Sequence, residues 1–122
     1  MPGYREHEKD GWTILVGKGA SDNDELSTKI AEPQDWWLHA AEYSGSHVVV
    51  RSPDGIEPPR PVLQYAARLA AWHSKARGSG GKVDVHLCQA RDVSKPRGFR
   101  PGTVLLKRWV SMKVYAKDPE SG

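Results

Sequence analysis

The sequence predicts a single α+β domain, in which a mixed, largely antiparallel sheet carries two helices on one face. Three observations support this class. Short β-branched and aromatic runs flank turn-forming dipeptides, one long segment repeats its apolar residues at helical spacing, and the segments follow the order β-β-α-β-β-α-β-β-β. A chain of 122 residues is the usual size of one domain. We therefore expect residues 1–116 to fold together and residues 117–122 to form a frayed tail.

The N-terminal part of the chain is predicted to hold a hairpin and a short helix. Two strands, Tyr4–Glu8 and Trp12–Val16, flank Asp10-Gly11, a dipeptide that suits the positive φ angles of a tight turn. A glycine-rich break follows the second strand. The helix then runs to about residue 30, and Ser21 or Asp22 is expected to cap its N-terminus.

The central part is predicted to hold two paired strands and the longest helix. Trp36–Ala40 and His47–Arg51 have strand composition and flank a turn at residues 44–46. Trp36 and Trp37 must point to opposite faces of their strand, so we expect one in the core and one more exposed. The long helix is predicted over Pro61–Arg77, because proline suits a first helical position and the apolar residues that follow form one stripe.

The C-terminal part is predicted to hold a strand, a basic loop and a closing hairpin. Lys82–Cys88 is the strand, Arg91–Arg100 is the loop, and Thr103–Leu106 with Met112–Ala116 form the hairpin or one bent strand. The remaining tryptophans, Trp12, Trp72 and Trp109, are expected in the core or at its edge.

Charge is distributed unevenly along the chain. The net charge is +3, yet residues 1–61 carry six Lys or Arg against eleven Asp or Glu, and residues 62–122 carry twelve against four. Between Lys75 and Lys113 there are ten basic residues and only two acids. Such clustering is the electrostatic footprint of a polyanion partner, although a solubilising basic face gives the same pattern.

Composition also limits the compartment and the chemistry. No apolar run approaches the roughly 20 residues of a membrane span, and the polar, charged N-terminus is unlike a signal peptide. The single cysteine, Cys88, has no partner for an internal disulfide, so we expect a cytoplasmic protein. The sequence has no Gly-x-Ser-x-Gly elbow, and its phosphate-loop and dinucleotide fingerprints are incomplete. His86-x-Cys88 lacks the spacing typical of a zinc site, so neither catalysis nor a metal or other cofactor is expected.

Several short motifs occur in order along nearly the whole chain, and together they resemble the NFACT-R module of a ribosome-quality-control family. They are Gly17-Lys18-Gly19-Ala20 with Asn23-Asp24-x-Leu26, Asp35-Trp36-Trp37-Leu38-His39-Ala40, Gly45-Ser46-His47-Val48-Val49, Ala66-Ala67-x-x-Ala70-Ala71-x-x-Ser74-Lys75, and Asp92-Val93-x-Lys95-Pro96-x-Gly98-x-x-Pro101-Gly102-x-Val104. Two positions depart from the pattern, since Lys18 replaces an arginine and Gly19 an asparagine. Full-length members carry further domains that 122 residues cannot hold, so the resemblance implies a freestanding version.

The resemblance implies a monomeric module that binds structured RNA, such as tRNA or rRNA, with the large ribosomal subunit as a further partner. The basic loop is expected at the centre of the site, because its prolines and glycines hold a cationic cluster in place. The residues that the resemblance and the charge pattern assign to RNA contact are Lys18, Asn23, Asp24, Trp37, His39, Ser46, His47, Arg51, Ser74, Lys75, Arg77, Lys95, Arg97 and Arg100.

Three of these assignments have a structural alternative. His39 and His47 can face each other on adjacent strands, either as part of a binding surface or as a hydrogen-bonded pair that fixes the turn between them. Lys75 and Arg77 suit the C-terminal end of a helix dipole as well as they suit RNA. Lys18 precedes a helix N-terminus that attracts phosphate, but the acids of the first turn oppose an anion there.

Two other classes of function remain open from the sequence. The acidic N-terminal half could dock a protein partner, which would make the chain an interaction adaptor. Backbone charge alone also does not distinguish RNA from DNA, so sequence-independent DNA binding is a further alternative.

Overall fold

The computed structural model describes residues 3–119, and its central feature is a six-stranded sheet in which every pairing is antiparallel. The strands lie in the order β1-β2-β4-β3-β5-β8. A separate two-stranded ribbon is formed by β6 and β7. The bounds are β1 Tyr4–Lys9, β2 Trp12–Gly17, β3 Trp36–Ala40, β4 Val48–Val50, β5 Lys82–Gln89, β6 Val93–Ser94, β7 Leu105–Leu106 and β8 Val110–Tyr115.

Two helices complete the fold, which confirms the predicted α+β class. The first, α1, spans Ala20–Glu25 and widens without a break into a π turn over Leu26–Ile30. The second, α2, spans Arg60–Trp72 and carries proline in its first turn. Within residues 3–119 no helix is long and apolar enough to cross a membrane.

The hairpin of β1 and β2 forms at the predicted dipeptide. Asp10 has a φ of 51° and Gly11 a φ of 86°, the paired left-handed angles that match the twist of two antiparallel strands. The pairing runs from Lys9 opposite Trp12 to Tyr4 opposite Gly17. Local turn chemistry therefore fixes this register, as the sequence predicts.

The two helices lie on opposite faces of the sheet, so the predicted placement of both on one face is wrong. Helix α2 covers Ile14, Leu38 and Val50 and forms with them the larger core. The other face packs Leu15, Trp37 and Val49 against Leu26, which begins the π turn after α1. Neighbouring residues of a strand point to opposite faces, and the three consecutive valines of β4 are all buried because both faces are covered there.

Three element boundaries also differ from the prediction. Helix α2 ends at Trp72 instead of residue 77, because the Ser74 hydroxyl bonds to the Ala71 carbonyl and Ser74 then bridges to Gly45. Gly19 is the N-cap of α1, in place of Ser21 or Asp22, and no side chain caps this end. The two segments of the predicted closing hairpin separate, since β7 pairs with β6 and β8 pairs with β5.

The predicted C-terminal tail is described only in part. The Lys117 N–H donates to the Tyr115 carbonyl at 3.0 Å, and Pro119 is buried. The rest of the predicted tail, residues 120–122, lies outside the described residues.

Candidate nucleic-acid interface

The face of the sheet opposite α2 is covered over only part of its width, and an open cleft of about 930 Å³ lies where the cover ends. Its wall combines the start of α1, the turn at residues 43–47 and the segment from Arg100 to Leu106. Four of the five histidines line it: His39, His47, His73 and His86. Among the described residues that line the cleft, Lys18 and Arg100 carry fixed charge and none is a carboxylate.

Three of these histidines form a row across neighbouring strands. The β3–β5 register places His39 directly opposite His86. The Leu38–Val48 pair of β3 and β4 brings His47, one residue before β4, across from His39 on the other side. The ring centroids of His39 and His47 are 5.2 Å apart and the rings meet edge to face. The sequence predicts that His39 and His47 face each other, and strand pairing adds His86, which sequence reasoning missed as a site residue.

The hydrogen bonds of His47 fix its tautomer. Its Nε2 lies 3.1 Å from the Gly102 carbonyl, which can only accept, so Nε2 carries the proton of the neutral ring. Its Nδ1, 2.7 Å from the Ser27 hydroxyl, therefore accepts. The same hydroxyl oxygen accepts from Trp37 Nε1 at 2.8 Å. His47 is 1% exposed and both ring nitrogens are used, so it holds the site together and has no hydrogen bond left for a ligand.

Burial keeps the centre of the row uncharged near neutral pH. The pKa of His39 is lowered to about 4, first by desolvation and then by the nearby His86, while a hydrogen bond with the Gly45 backbone opposes the shift. The pKa of His47 is also lowered to about 4 by desolvation and by His39, against smaller opposing effects from Gly102, Asp24 and Asn23. These two imidazoles therefore act as neutral, polar, flat groups at pH 7.

Asn23 holds the turn that carries His47. Its side-chain oxygen accepts from the His47 N–H at 3.1 Å, and its amide nitrogen donates to the Gly45 carbonyl at 3.4 Å. The Ser46 hydroxyl adds a bond to the Gly17 carbonyl at 2.6 Å. A Cβ on Gly45 would lie 2.5 Å from the Cβ of Ser74, so only glycine fits between the turn and the end of α2. Asn23, which is 6% exposed, and Ser46 thus shape the cleft through contacts inside the protein.

Asp24 and Lys95 fix the basic loop. The Asp24 carboxylate accepts from the Gly102 N–H at 3.0 Å and forms an ion pair with Lys95 at 3.3 Å. Lys95 also donates to the carbonyl oxygens of Arg100 and Thr103. Three oxygen partners surround the Lys95 ammonium, so its first role is to close the loop over the end of α1. Lys95, one cation of the predicted basic loop, is thus held within the protein, and Arg91, Arg97 and Arg100 are the exposed cations of residues 91–100.

Trp109 supplies an exposed aromatic wall, contrary to its predicted place in the core or at its edge. Its side chain is 51% exposed, and its ring lies 5.4 Å from that of His86. It follows the short strand β7 in a turn that leads the chain into the edge strand β8, so little of the protein covers it. Trp12 and Trp72 are half-buried, as predicted. Lys107-Arg108-Trp109 is the sequence signal for this wall, since aromatic residues beside cations are typical of nucleic-acid surfaces.

Trp37 is the tryptophan of its pair that enters the core. It is 2% exposed, and its ring meets those of His39 and His47 at 5.9 and 5.1 Å. A ring buried to this extent cannot offer a face to a base, so Trp37 supports the floor of the cleft. Trp36 points to the α2 side and is half-buried.

The other predicted RNA contacts lie outside the cleft. Arg51 donates to the Ile30 carbonyl at 2.8 Å and pairs with the buried Asp35 at 3.5 Å, which ties the end of the π turn to β4. Arg77 lies over the Trp72 ring at 4.1 Å, and Ser74 ends α2 as described above. Lys75 and Arg97 are exposed on loops and do not line the cleft. The structure therefore leaves these five apart and brings seven of the predicted contacts together around the cleft: Lys18, Asn23, Trp37, His39, Ser46, His47 and Arg100.

Metal ligands and the single thiol are the remaining reactive groups to place. No group of three His, Cys, Asp or Glu among residues 3–119 is arranged to hold a metal ion. Burial raises the pKa of the Cys88 thiol to about 12, with a smaller effect from Asp92, so the reactive thiolate is suppressed. What the cleft offers is flat rings, neutral polar groups and a cationic rim, which are features of a nucleic-acid interface.

An α+β module with such a cleft has the features of a nucleic-acid-binding domain, and comparison with known proteins gives the family. Residues 3–108 match the family model of the NFACT protein RNA binding domain. The chain belongs to this family, which confirms the resemblance seen in its motifs. The C-terminal part of a fibronectin/fibrinogen-binding protein from Streptococcus suis has the same fold, with a TM-score of 0.84 and 38% identity over 93% of this chain and 45% of that one.

Curated relatives carry the same module within longer proteins. The chain is 45% identical over 94 residues to the Rqc2 homolog RqcH of Bacillus subtilis, which covers 77% of this chain and 16% of the relative. It is 42% identical over 106 residues to RqcH of Streptococcus suis, covering 86% and 19%. A more distant match is the yeast ribosome quality control complex subunit 2, at 27% identity over 86 residues. The chain thus spans less than a fifth of the length of these relatives.

Proposed function

We propose that the cleft binds structured RNA, such as tRNA or rRNA, and that the chain acts in ribosome quality control, with the large ribosomal subunit as a partner. Two findings support the proposal. The chain belongs to a family of RNA-binding domains, and relatives that share its sequence are named as ribosome quality control proteins. The assignment to tRNA or rRNA rests on the family resemblance and on the charge of the C-terminal half.

The observation that carries the proposal is the charge of the cleft. Lys18 and Arg100 stand on its rim, and no carboxylate is among its described lining residues. The lining cations therefore attract a polyanion at this opening. Two carboxylates of the N-terminal half are already engaged within the protein: Asp24 pairs with Lys95 and accepts from the Gly102 N–H beside the cleft, and Asp35 is buried in hydrogen bonds. Arg97 and the other exposed cations of the C-terminal half extend the favourable field beyond the cleft.

The test is a salt titration of tRNA binding with two matched double variants. Lys18→Ala/Arg100→Ala removes both rim cations, and Lys29→Ala/Arg60→Ala removes two exposed cations that do not line the cleft. Each change lowers the net charge equally, so a difference between them reports position. We expect the rim variant to bind about tenfold more weakly and to reduce the slope of log affinity against log salt by about one to two.

Two results would contradict the proposal. Equal loss in both double variants would mean that RNA responds only to overall charge. Absence of RNA affinity at low salt, together with recovery of a defined protein partner after nuclease treatment, would support the adaptor alternative instead. A parallel titration with duplex DNA decides whether the site distinguishes the two nucleic acids, since only RNA offers the 2′-hydroxyl.

A further inference from the structure

We propose that the cleft binds an unpaired nucleobase, which stacks on Trp109 beside His39 and His86. Lys18 and Arg100 would hold the flanking phosphates. The inference rests on the proposed RNA binding and specifies which part of the RNA is read. It attributes part of the RNA affinity to contacts with an unpaired base, in addition to the attraction between the cations and the phosphates.

The aromatic surfaces of the cleft are the first argument. Trp109 is half-exposed beside His86, and Tyr43, which is 41% exposed, also lines the cleft. Exposing a large aromatic ring to water is unfavourable, and a flat partner that covers the ring removes this penalty. Every nucleobase has such a flat face. The contact of the Trp109 ring is with a cleft histidine, His86, and within residues 3–119 no side-chain hydrogen bond of Trp109 accounts for its position.

The neutral centre of the cleft is the second argument. Both nitrogens of His47 are satisfied within the protein, and His39 is uncharged at pH 7. One ring nitrogen of His39 bonds the Gly45 backbone, which leaves the other for the hydrogen-bonding edge of a base, and a neutral imidazole gives a phosphate little attraction. The cations stand on the rim, where the phosphates on either side of an inserted base would lie.

The size of the cleft is the third argument. Its volume of about 930 Å³ falls within the roughly 300–1,000 Å³ of sites that enclose small molecules. A nucleotide fits such a space, whereas a double helix would touch only the rim. Sequence-tolerant recognition of RNA commonly uses unstacked bases on aromatic side chains in this way.

The experiment compares three labelled RNAs by fluorescence anisotropy at fixed salt. They are a single strand of about ten nucleotides, a strand of the same length with abasic riboses, and the duplex of the first strand. All three carry the phosphate charge, but only the first offers unpaired bases. We expect the single strand to bind about tenfold more tightly than the abasic strand, and the duplex to bind no better than the abasic strand.

Variants assign the difference to the cleft. Trp109→Ala should lose about tenfold in affinity for the single strand and nothing for the abasic strand, while Trp109→Phe retains a stacking face and most of the affinity. Tyr115→Ala is the matched control, because Tyr115 is an aromatic side chain that is 49% exposed and does not line the cleft. It should bind both strands as the unchanged chain does. Circular dichroism confirms that each variant folds.

The outcomes separate this inference from the proposed function. Equal affinity for natural and abasic strands, with Lys18→Ala/Arg100→Ala still impaired, would overturn base recognition and leave RNA binding intact. A duplex that binds as tightly as the single strand would overturn it in the same way. Failure to bind all three RNAs, and tRNA as well, would reject both.

Discussion

The two faces of the six-stranded sheet are made by the same strands and differ in almost every property. On the α2 side, Ile14, Leu38 and Val50 are fully buried under one continuous helix. On the other side, an apolar cluster around Trp37 covers one part of the sheet, and the part that carries His39 and His86 is open to the cleft. Adjacent residues such as Leu38 and His39 therefore serve different faces. Because neighbouring residues of a strand point to opposite faces, one face can be packed for stability while the other carries exposed rings that the fold does not need.

The cleft is held in place from both faces of the sheet. His39 and His86 stand on strands whose other face is anchored beneath α2, and the loops of the cleft are tied by Asn23, Asp24 and Lys95. A binding site needs side chains whose own positions are fixed by their neighbours. The closed face and the hydrogen-bonded loops supply that fixation, so the rings can remain exposed.

The largest expected difference between the faces is in stability. Leu38→Ala should lower the free energy of unfolding by about 2–5 kcal/mol, because it removes a buried side chain under α2 and leaves a cavity. His86→Ala, on the open face of the next strand, should change it by less than about 1 kcal/mol. Urea denaturation measures both. Equal losses would show that the open face is part of the stabilising core.

Asn23→Ala tests the hydrogen bonds that hold the turn at residues 43–47 on the open face. The buried amide bonds the His47 N–H and the Gly45 carbonyl, so its removal should cost about 1–3 kcal/mol. Hydrogen exchange should show faster exchange of the His47 amide. Thr28→Ala, which loses one exposed bond to the Asp24 carbonyl, is the control and should leave that amide protected. Unchanged protection in Asn23→Ala would mean that the turn is held by other contacts.

Acid should destabilise the open face specifically. The pKa of His39 and of His47 is about 4 in the folded chain, against 6.5 for an ordinary histidine. As pH falls from 6.5 towards 4, the unfolded chain binds protons first, so stability present above pH 6.5 is lost over this range. The loss should be about 3 kcal/mol or more by urea titration, since one such shift alone corresponds to about that free energy. His39→Gln should flatten the profile, and an identical profile would show that His39 is not the group responsible.

The smallest expected effect separates two cations of one loop. Lys95→Ala should lower stability by less than about 1 kcal/mol and loosen the loop, because its partners are partly exposed. Arg97→Ala should leave stability unchanged and act only through RNA affinity, with a salt slope reduced by about one. If Lys95→Ala left the loop's hydrogen exchange unchanged while weakening RNA binding as Arg97→Ala does, Lys95 would be a ligand contact after all.

Local patterns in the sequence predict several features of the fold and of the cleft. The turn at Asp10-Gly11, the strand around Trp37 and the facing histidines His39 and His47 are predictable because each depends on neighbours along one or two strands. The ordered motifs also identified the family. These features need no knowledge of how distant segments meet.

The rest depends on contacts between distant segments. The placement of α1 opposite α2 is decided by Leu26 packing on Trp37, which no local period reveals. To predict that His86 lies beside His39, one must know the register of β3 and β5. To predict that Trp109 is exposed, one must know that β7 pairs with β6 and not with β8. Lys95 looks like a free cation until Asp24, far away in sequence, is seen beside it.

The most direct test of the account is photo-crosslinking of tRNA to the chain, followed by mass spectrometry of the attached peptides. The account predicts crosslinks on the open face, in the segment from Arg100 to Trp109 and around His86. Excess unlabelled single-stranded RNA should remove them. Crosslinks confined to the exposed side of α2, at Arg60 and Gln64, would contradict it, because they would place RNA on the face that the account assigns to stability alone.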